Sequence, residues 1–331
     1  MRAIQITSLD GPGAIELTDV PEPELSHMMT PGEGVVVAVE AAGVAFPEVL
    51  QTRGQYQFKP DLPFVPGAEV SGTVLAASDG AGVAVGDRVA AFCFLGGFAE
   101  QAVAPPHMVF KVGDELDAAQ AAGLVLNYHT AYFALKLRGR LAEGEKVLVH
   151  GAAGGVGTAA IQVAKGLGAA QVIAVVSTDE KERVARDAGA DDVVRSDGEW
   201  RAQALEISGG GVDLVVDPVG GDRFTDSLRS LAEDGRVVVV GFTGGSIPEV
   251  KVNRLLLRNT EVIGAGWGAY VMSRPQLNRE IGAAIDALIA SGHVRPIVGA
   301  RFGLERAGEA LELIDGRGAL GKVVLDVAGQ S

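Results

Sequence analysis

The chain has 331 residues, 47% of them apolar, with a formal charge of -14 and a single cysteine. That length allows two domains of ordinary size. The dispersed acidic charge, with no long block of lysine and arginine, argues against a nucleic-acid partner; Cys93 alone cannot build a disulfide framework; and no segment reaches the roughly 20 apolar residues of a membrane span.

Met1-Arg-Ala-Ile-Gln-Ile6 reads as the start of a strand rather than a signal peptide, and a cytoplasmic location is expected. Up to about residue 120 the chain offers short strand-like runs punctuated by glycine and proline: Gly34–Glu40, Glu69–Leu75, Asp87–Phe92 and Phe98–Val103. Such runs predict a compact β-rich domain with small helices. Cys93 lies within the apolar run Val89–Phe94 and reads as a small buried side chain. A helical stretch from Ala118 to Arg138 follows.

Next comes the most informative segment. Lys146–His150 is a short apolar strand, Gly151-Ala-Ala-Gly-Gly-Val-Gly157 a glycine turn, and Thr158–Leu167 a helical run. Strand, turn and helix in that order form a dinucleotide site: the opening Gly151 begins the turn, Gly154 lets backbone approach a pyrophosphate, Gly157 lets the helix pack closely, and the free amides of the helix start, around Gly155 and Val156, face the anion. Any tight strand-to-helix turn can use glycine, so the context decides. Strand signals recur at Gln171–Val176, Asp192–Val194, Val212–Asp217 and Arg236–Val240, alternating with helical runs Asp179–Ala188, Trp200–Ile207 and Phe224–Leu231. This pattern predicts an α/β fold with a doubly wound parallel (Rossmann) sheet.

The choice between NAD and NADP falls at the end of the second strand, where an NAD-binding chain carries Asp or Glu. Val176 stands there instead. Ser177 and Lys181 offer a hydroxyl and an ammonium to a 2′-phosphate, with Arg195 after the third strand as a second cation, so NADPH is the expected cofactor. Asp179 and Glu180 suit that reading only if they point outward, and Lys181 could equally be a solvated residue of a first helical turn. Gly241, Phe242 and Thr243 follow the fifth strand, at the carboxyl edge where open α/β sheets bind ligands, although Phe242 could also be core. Glu261–Ala265 supplies a further strand, a helix is expected near Arg279–Ala290, and the strand-like Gly321–Asp326 closes the chain. No Gly-x-Ser-x-Gly elbow, phosphate loop or Cys-x-x-Cys is present, and the five histidines lack ligand spacing.

A series of motifs runs through the chain in order: Ala41–Glu48, Gly54–Gln57, Leu62–Gly72, Val85–Val89, Asn127–Tyr132, Val149–Gly157, Asp217–Gly221, Gly241–Gly244 and Gly321–Val324. With these the chain resembles, over nearly its whole length, the medium-chain dehydrogenase/reductase superfamily, and within it the zinc-free quinone oxidoreductases of the zeta-crystallin type. The resemblance implies a Rossmann domain, residues 122–267, inserted into a discontinuous β-rich GroES-like catalytic domain, residues 1–121 and 268–331. It implies NADPH-dependent reduction of a quinone or an enone, and a homodimer formed through the sheet edge near Glu261–Trp267. Zinc-dependent relatives place a cysteine and a histidine where this chain has Ala45 and Ala68, so no metal is expected. Many members have Asn at the position of Ala45.

Tyr56 is the candidate donor to the reacting oxygen, the alternative being a residue that shapes the pocket wall or packs on the nicotinamide. Asn127 and Thr130 are implied cofactor contacts, or else serve helix capping and packing. Lys322 approaches the cofactor or is solvated. Two other functions share the pattern: reduction of the C=C bond of an enone or enoyl thioester, and NADPH binding without substantial turnover.

Overall fold

A computed structural model describes residues 1–327 of the chain. The chain forms two compact units, one made of Met1–Leu126 together with the chain from Pro296 onward, the other of Asn127–Arg295.

In the first unit β1 (Arg2–Ile6) pairs antiparallel with β2 (Ile15–Asp19). The long β3 (Val35–Val44) leads into the short helix α1 (Phe46–Gln51), which starts at a proline-containing first turn, where the missing N–H costs nothing. β4 (Glu69–Ala77), β5 (Arg88–Phe92), β6 (Gln101–Ala104) and β7 (Val109–Lys111) follow, then α2 (Ala118–Ala121). Val35, Val37, Val70, Val74, Val89 and Leu325 are among the fully buried residues of this unit's core.

The expected helix over 118–138 is not continuous. It stops after α2, and α3 (Thr130–Tyr132) is flanked by π-helical turns Val125–His129 and Phe133–Arg138.

The second unit carries β8 (Lys146–His150), α4 (Gly155–Gly166), β9 (Gln171–Val176), α5 (Asp179–Asp187), β10 (Asp192–Arg195), α6 (Trp200–Ile207), β11 (Val212–Asp217), α7 (Phe224–Arg229) and β12 (Leu231–Val239). It ends with α8 (Asn253–Leu256), β13 (Glu261–Gly264), α9 (Trp267–Val271) and α10 (Pro275–Ala290). Its six strands are parallel and run in the order β10-β9-β8-β11-β12-β13, the doubly wound arrangement expected from the sequence. Helices cover both faces, so the strands read as continuous valine-rich runs rather than alternating ones. The winding reverses between β8 and β11, and a crevice for a ligand lies at the carboxyl ends of such strands.

Several boundaries differ from expectation, three of them informative. α4 starts at Gly155 rather than Thr158. α10 starts at Pro275 rather than Arg279, with proline in the first turn. α7 ends at Arg229 because Leu231 is drawn into β12, where it pairs with Val212.

The chain returns to the first unit through β14 (Val298–Gly303), α11 (Ala307–Asp315) and β15 (Lys322–Asp326). There the sheet order is β14-β15-β3-β4-β5-β7, with β6 also paired to β3. No helix among the described residues is long and apolar enough to cross a membrane.

Candidate active site

The glycine turn lies at the carboxyl end of β8. Gly151 has φ +57, a left-handed conformation that a side chain disfavours. A Cβ on Gly157 would lie 2.2 Å from the Gly151 carbonyl oxygen and 2.7 Å from Ala152 Cα, so the first turn of α4 can rest on the turn before it only because residue 157 is glycine. The helix starts early for this reason. Its first intrahelical bond runs from the Thr158 N–H to the Gly154 oxygen at 2.9 Å, which leaves the Gly155, Val156 and Gly157 amides at the positive end of the helix dipole. A Cβ on Gly155 would lie 2.5 Å from Asn127 Nδ2, placing the buried Asn127 amide beside that first turn. Thr130, also buried, begins α3. His150 ends β8; burial lowers its pKa to about 4, so it brings no positive charge to the turn, and its Nε2 lies 2.8 Å from Ser227 Oγ.

At the end of β9, Thr178 caps α5 by accepting the Lys181 N–H at 3.2 Å. Lys181 Nζ lies 3.4 Å from the exposed Ser177 hydroxyl. Arg195 stands in register with Val176 on the neighbouring strand, which brings all three candidate phosphate contacts to one strand end. Asp179 does not simply point away: it pairs with Arg195, and Glu182 lies 3.7 Å from the same guanidinium. Arg195 is therefore paired with acidic side chains of α5, and Lys181 lies beside Ser177.

The turn after β11 packs against the glycine turn, and the turn after β12 packs in its place on that one. The Asp217 carboxylate accepts the N–H groups of Val219 and Gly220 at 2.8 and 2.9 Å, fixing the chain after β11. Thr243 donates its N–H and hydroxyl to the Pro218 oxygen at 3.1 Å each, and Gly244 N–H reaches the Val219 oxygen at 2.8 Å. Gly241 and Phe242 lie in the same turn, and Phe242, 39% exposed, is not core. A cavity of about 530 Å³ lined by Lys146, Ser208, Gly210, Asp213 and Arg258 lies instead at the amino edge of the sheet. Its cations are already bonded, Lys146 to the Ser208 oxygen and Arg258 to the Leu231 oxygen.

The first unit holds a buried charge cluster that no periodicity in the sequence announces. Lys322, expected either near the cofactor or in solvent, is buried and bonded to Glu69, itself 1% exposed; the solvated alternative is corrected. Glu69 also accepts the Leu126 N–H at 2.9 Å. Glu48, 1% exposed, accepts the N–H groups of Ala45 and Ala68 at 3.0 Å each. The one sequence clue to these carboxylates is that Glu48 precedes Val49-Leu50 and Glu69 precedes Val70, acids set in apolar runs. Tyr56 is half-buried, and its pKa is raised by burial first and by the charge of Glu48 second. A phenol so held keeps its proton at neutral pH and can donate it.

The family model described as "Zinc-binding dehydrogenase" matches residues 155–284, and that of the "Alcohol dehydrogenase GroES-like domain" residues 31–114. Quinone oxidoreductase-like protein 2 of Bos taurus is 39% identical over 297 residues, covering 88% of this chain and 85% of that protein. A solved structure of a probable oxidoreductase from Mycobacterium abscessus is 45% identical with a TM-score of 0.89, covering 99% of each chain. The Escherichia coli quinone oxidoreductase complexed with NADPH is 27% identical with a TM-score of 0.89, covering 99% of this chain and 100% of that one. The zinc in the first family's description does not fit the residues present. Ala45 and Ala68 carry no donor, both oxygens of Glu48 are engaged by backbone N–H groups, and no group of three or more His, Cys, Asp or Glu able to hold a metal occurs among the described residues.

Proposed function

The chain belongs to the medium-chain dehydrogenase/reductase superfamily, on its quinone oxidoreductase-like side, and on that footing we propose that it reduces quinones or related conjugated carbonyls without a metal. It is an oxidoreductase of that family and NADPH is its cofactor. The observation that carries the proposal is the turn at Gly151–Gly157: two glycines whose side-chain space is taken by backbone or by a left-handed φ, followed by three amides at a helix start. That cradle suits a pyrophosphate.

NADPH supplies a hydride when bound. Gly151, Gly154, Gly155, Val156 and Gly157 hold its diphosphate, Asn127 and Thr130 flank that first helical turn, and Ser177 with Lys181 takes the 2′-phosphate, Arg195 lending its field from beside Val176. Gly241, Phe242 and Thr243 line the carboxyl edge. Lys322 acts through Glu69 rather than by a contact of its own. Tyr56 holds a proton for the reacting oxygen. A conjugated acceptor spreads the incoming negative charge over its own π system, which lightens the demand for a Lewis acid, and the alanines at positions 45 and 68 support that reading.

The nucleotide is assigned to residues 122–267, which lie mostly within the second unit, and the acceptor to residues 1–121 and 268–331. A homodimer through β13 is supported by its position at the sheet edge, with Val262 38% and the neighbouring Leu256 and Leu257 78% and 80% exposed. The lone, buried thiol of Cys93 supports a cytoplasmic site of action.

Steady-state assays on a small quinone with NADPH and with NADH test the reading: NADPH is expected to be preferred, and a clear preference for NADH, or no turnover with either, removes it. In the same assay Lys181→Ala should raise the NADPH KM about tenfold, the worth of one charge-assisted contact, and leave the NADH KM within about twofold. Equal changes in the two would show that Lys181 does not meet the phosphate.

A further inference from the structure

We propose that Glu48 is a positioning residue for Tyr56: its buried carboxylate ties the turn at Ala45 to the segment at Ala68, and protonating it loosens the tie. The assignment rests on the role given to Tyr56 above. Oε2 accepts the Ala45 N–H and Oε1 the Ala68 N–H, each at 3.0 Å, so one side chain joins the two segments just beyond the last pair of β3 and β4, Gly43 with Glu69. Glu48 is 1% exposed and Ala68 is buried, so the Ala68 amide is left bare if it loses this acceptor, which is costly in a buried place. The loop carrying Tyr56 is bonded back onto the same helix. Thr52 Oγ1 donates to the Val49 oxygen at 2.7 Å, Gly54 N–H to the Gln51 oxygen at 3.1 Å, and Gln55 N–H to the Leu50 oxygen at 2.9 Å. Whatever fixes the start of α1 therefore fixes where Tyr56 begins.

The charged and titratable groups that face Glu48 come from several elements. Lys322 on β15 favours its ionised form, Glu69 on β4 opposes it, and its charge is felt by Tyr56 and by Cys93, whose thiol donates to the Gly67 and Ala68 oxygens at 3.5 and 3.3 Å. Lys322 is already committed to Glu69. Burial, the largest influence, raises the Glu48 pKa from 4.5 to about 7. With Glu48 ionised, both amides are accepted. Once protonated, the carboxyl becomes a donor at one oxygen, one amide loses its acceptor, and the charge that helps keep the Tyr56 phenol from ionising is gone. The sign for stability follows: between pH 4.5 and about 7 the folded state binds more protons than the unfolded one, so ionising Glu48 weakens the fold as pH rises through that window. Keeping an ionised carboxylate there works against stability, as a functional group often does.

The full-length protein, Glu48→Gln and Glu48→Asp are compared in two ways. The phenol of Tyr56 is titrated by NMR with labelled tyrosine; the chain has four tyrosines, and Tyr56→Phe assigns the signal. In Glu48→Gln, which mimics the protonated carboxyl, Tyr56 should titrate at lower pH than in wild type, and Glu48→Asp should keep the wild-type direction. In the quinone assay, wild-type kcat/KM should rise through about pH 7, whereas Glu48→Gln should lose about tenfold above pH 8 and be flat with pH, the loss falling on kcat while the NADPH KM stays within about twofold. Thermal melts confirm that each variant folds. An unchanged Tyr56 titration in Glu48→Gln overturns the proposal, even if activity falls, because a merely structural role would lower activity alone. A Tyr56 shift in a wild-type background that reduces no quinone would uphold the coupling and remove only the functional reading.

Discussion

Lys322→Ala is expected to destabilise the protein by roughly 3–5 kcal/mol, the cost of leaving a buried partner charge uncompensated. Its ammonium meets Glu69 where the two side chains are 3% and 1% exposed, so water cannot take over the role of either. The surrounding backbone has been thinned to admit the pair: a Cβ on Gly43 would lie 2.7 Å from Glu69 Cγ, and one on Gly123 would lie 3.0 Å from Lys322 Cγ. With the lysine gone, Glu69 keeps the Leu126 amide, but its other oxygen loses its partner while the charge of Glu48 still opposes its own. Glu69→Gln should cost less than Lys322→Ala, because the amide is neutral and still accepts a bond. The double change Lys322→Met with Glu69→Leu should recover most of the loss, since the attraction between buried charges is largely cancelled by their desolvation. Urea unfolding at neutral pH measures all of these. A wild-type midpoint for Lys322→Ala would mean that the pair contributes nothing to the fold.

Gly157→Ala should weaken NADPH binding by about 100-fold or more, equivalent to losing about 2.7 kcal/mol. The added methyl would have to fit 2.2 Å from one backbone oxygen and 2.7 Å from a backbone Cα, and neither can swing aside as a flexible side chain could. Relief comes only by moving the start of α4 away from the turn, which carries its amides away from the anion. Gly154→Ala is the control: its φ of -84 suits any residue, and a Cβ there lies 3.4 Å from the Gly151 oxygen, so the fold should not change and any loss of affinity would come from the ligand side. Fluorescence titration with NADPH, alongside circular dichroism, separates the two cases. Tight binding by Gly157→Ala would remove the turn from the nucleotide site.

The nucleotide unit was largely legible in the sequence because its strands are buried on both faces. Lys146–His150, Gln171–Val176 and Val212–Asp217 agree with the strands read from the apolar runs, both ends included. The start of α4 was not legible: glycine is a poor helix former, and what makes residues 155–157 helical is a close fit to Gly151 that only the folded chain supplies. β2 was missed because its residues are half-buried or exposed and leave no periodicity to read. The pairing of Lys322 with Glu69 joins residues 253 positions apart, and the pairing of Arg195 with Asp179 depends on which strands are neighbours, so no local pattern could report either. Tyr56 and Asn127 entered through family resemblance rather than spacing. Glu48 entered through neither, and only its burial and its two amide partners bring it to notice.

The groups assigned to choose between the two coenzymes, Ser177 and Lys181, sit on the exposed bend after β9 and in the first turn of α5, whereas the seat both coenzymes would share is interlocked: Val219 lies against Gly151, its oxygen holds Gly244, and Asp217 pins its amide. An inherited change at the bend therefore leaves the seat intact, while one at Val219 disturbs three turns together. Descendants of this chain could trade one coenzyme for the other in a few substitutions, with the common cradle passed on unaltered.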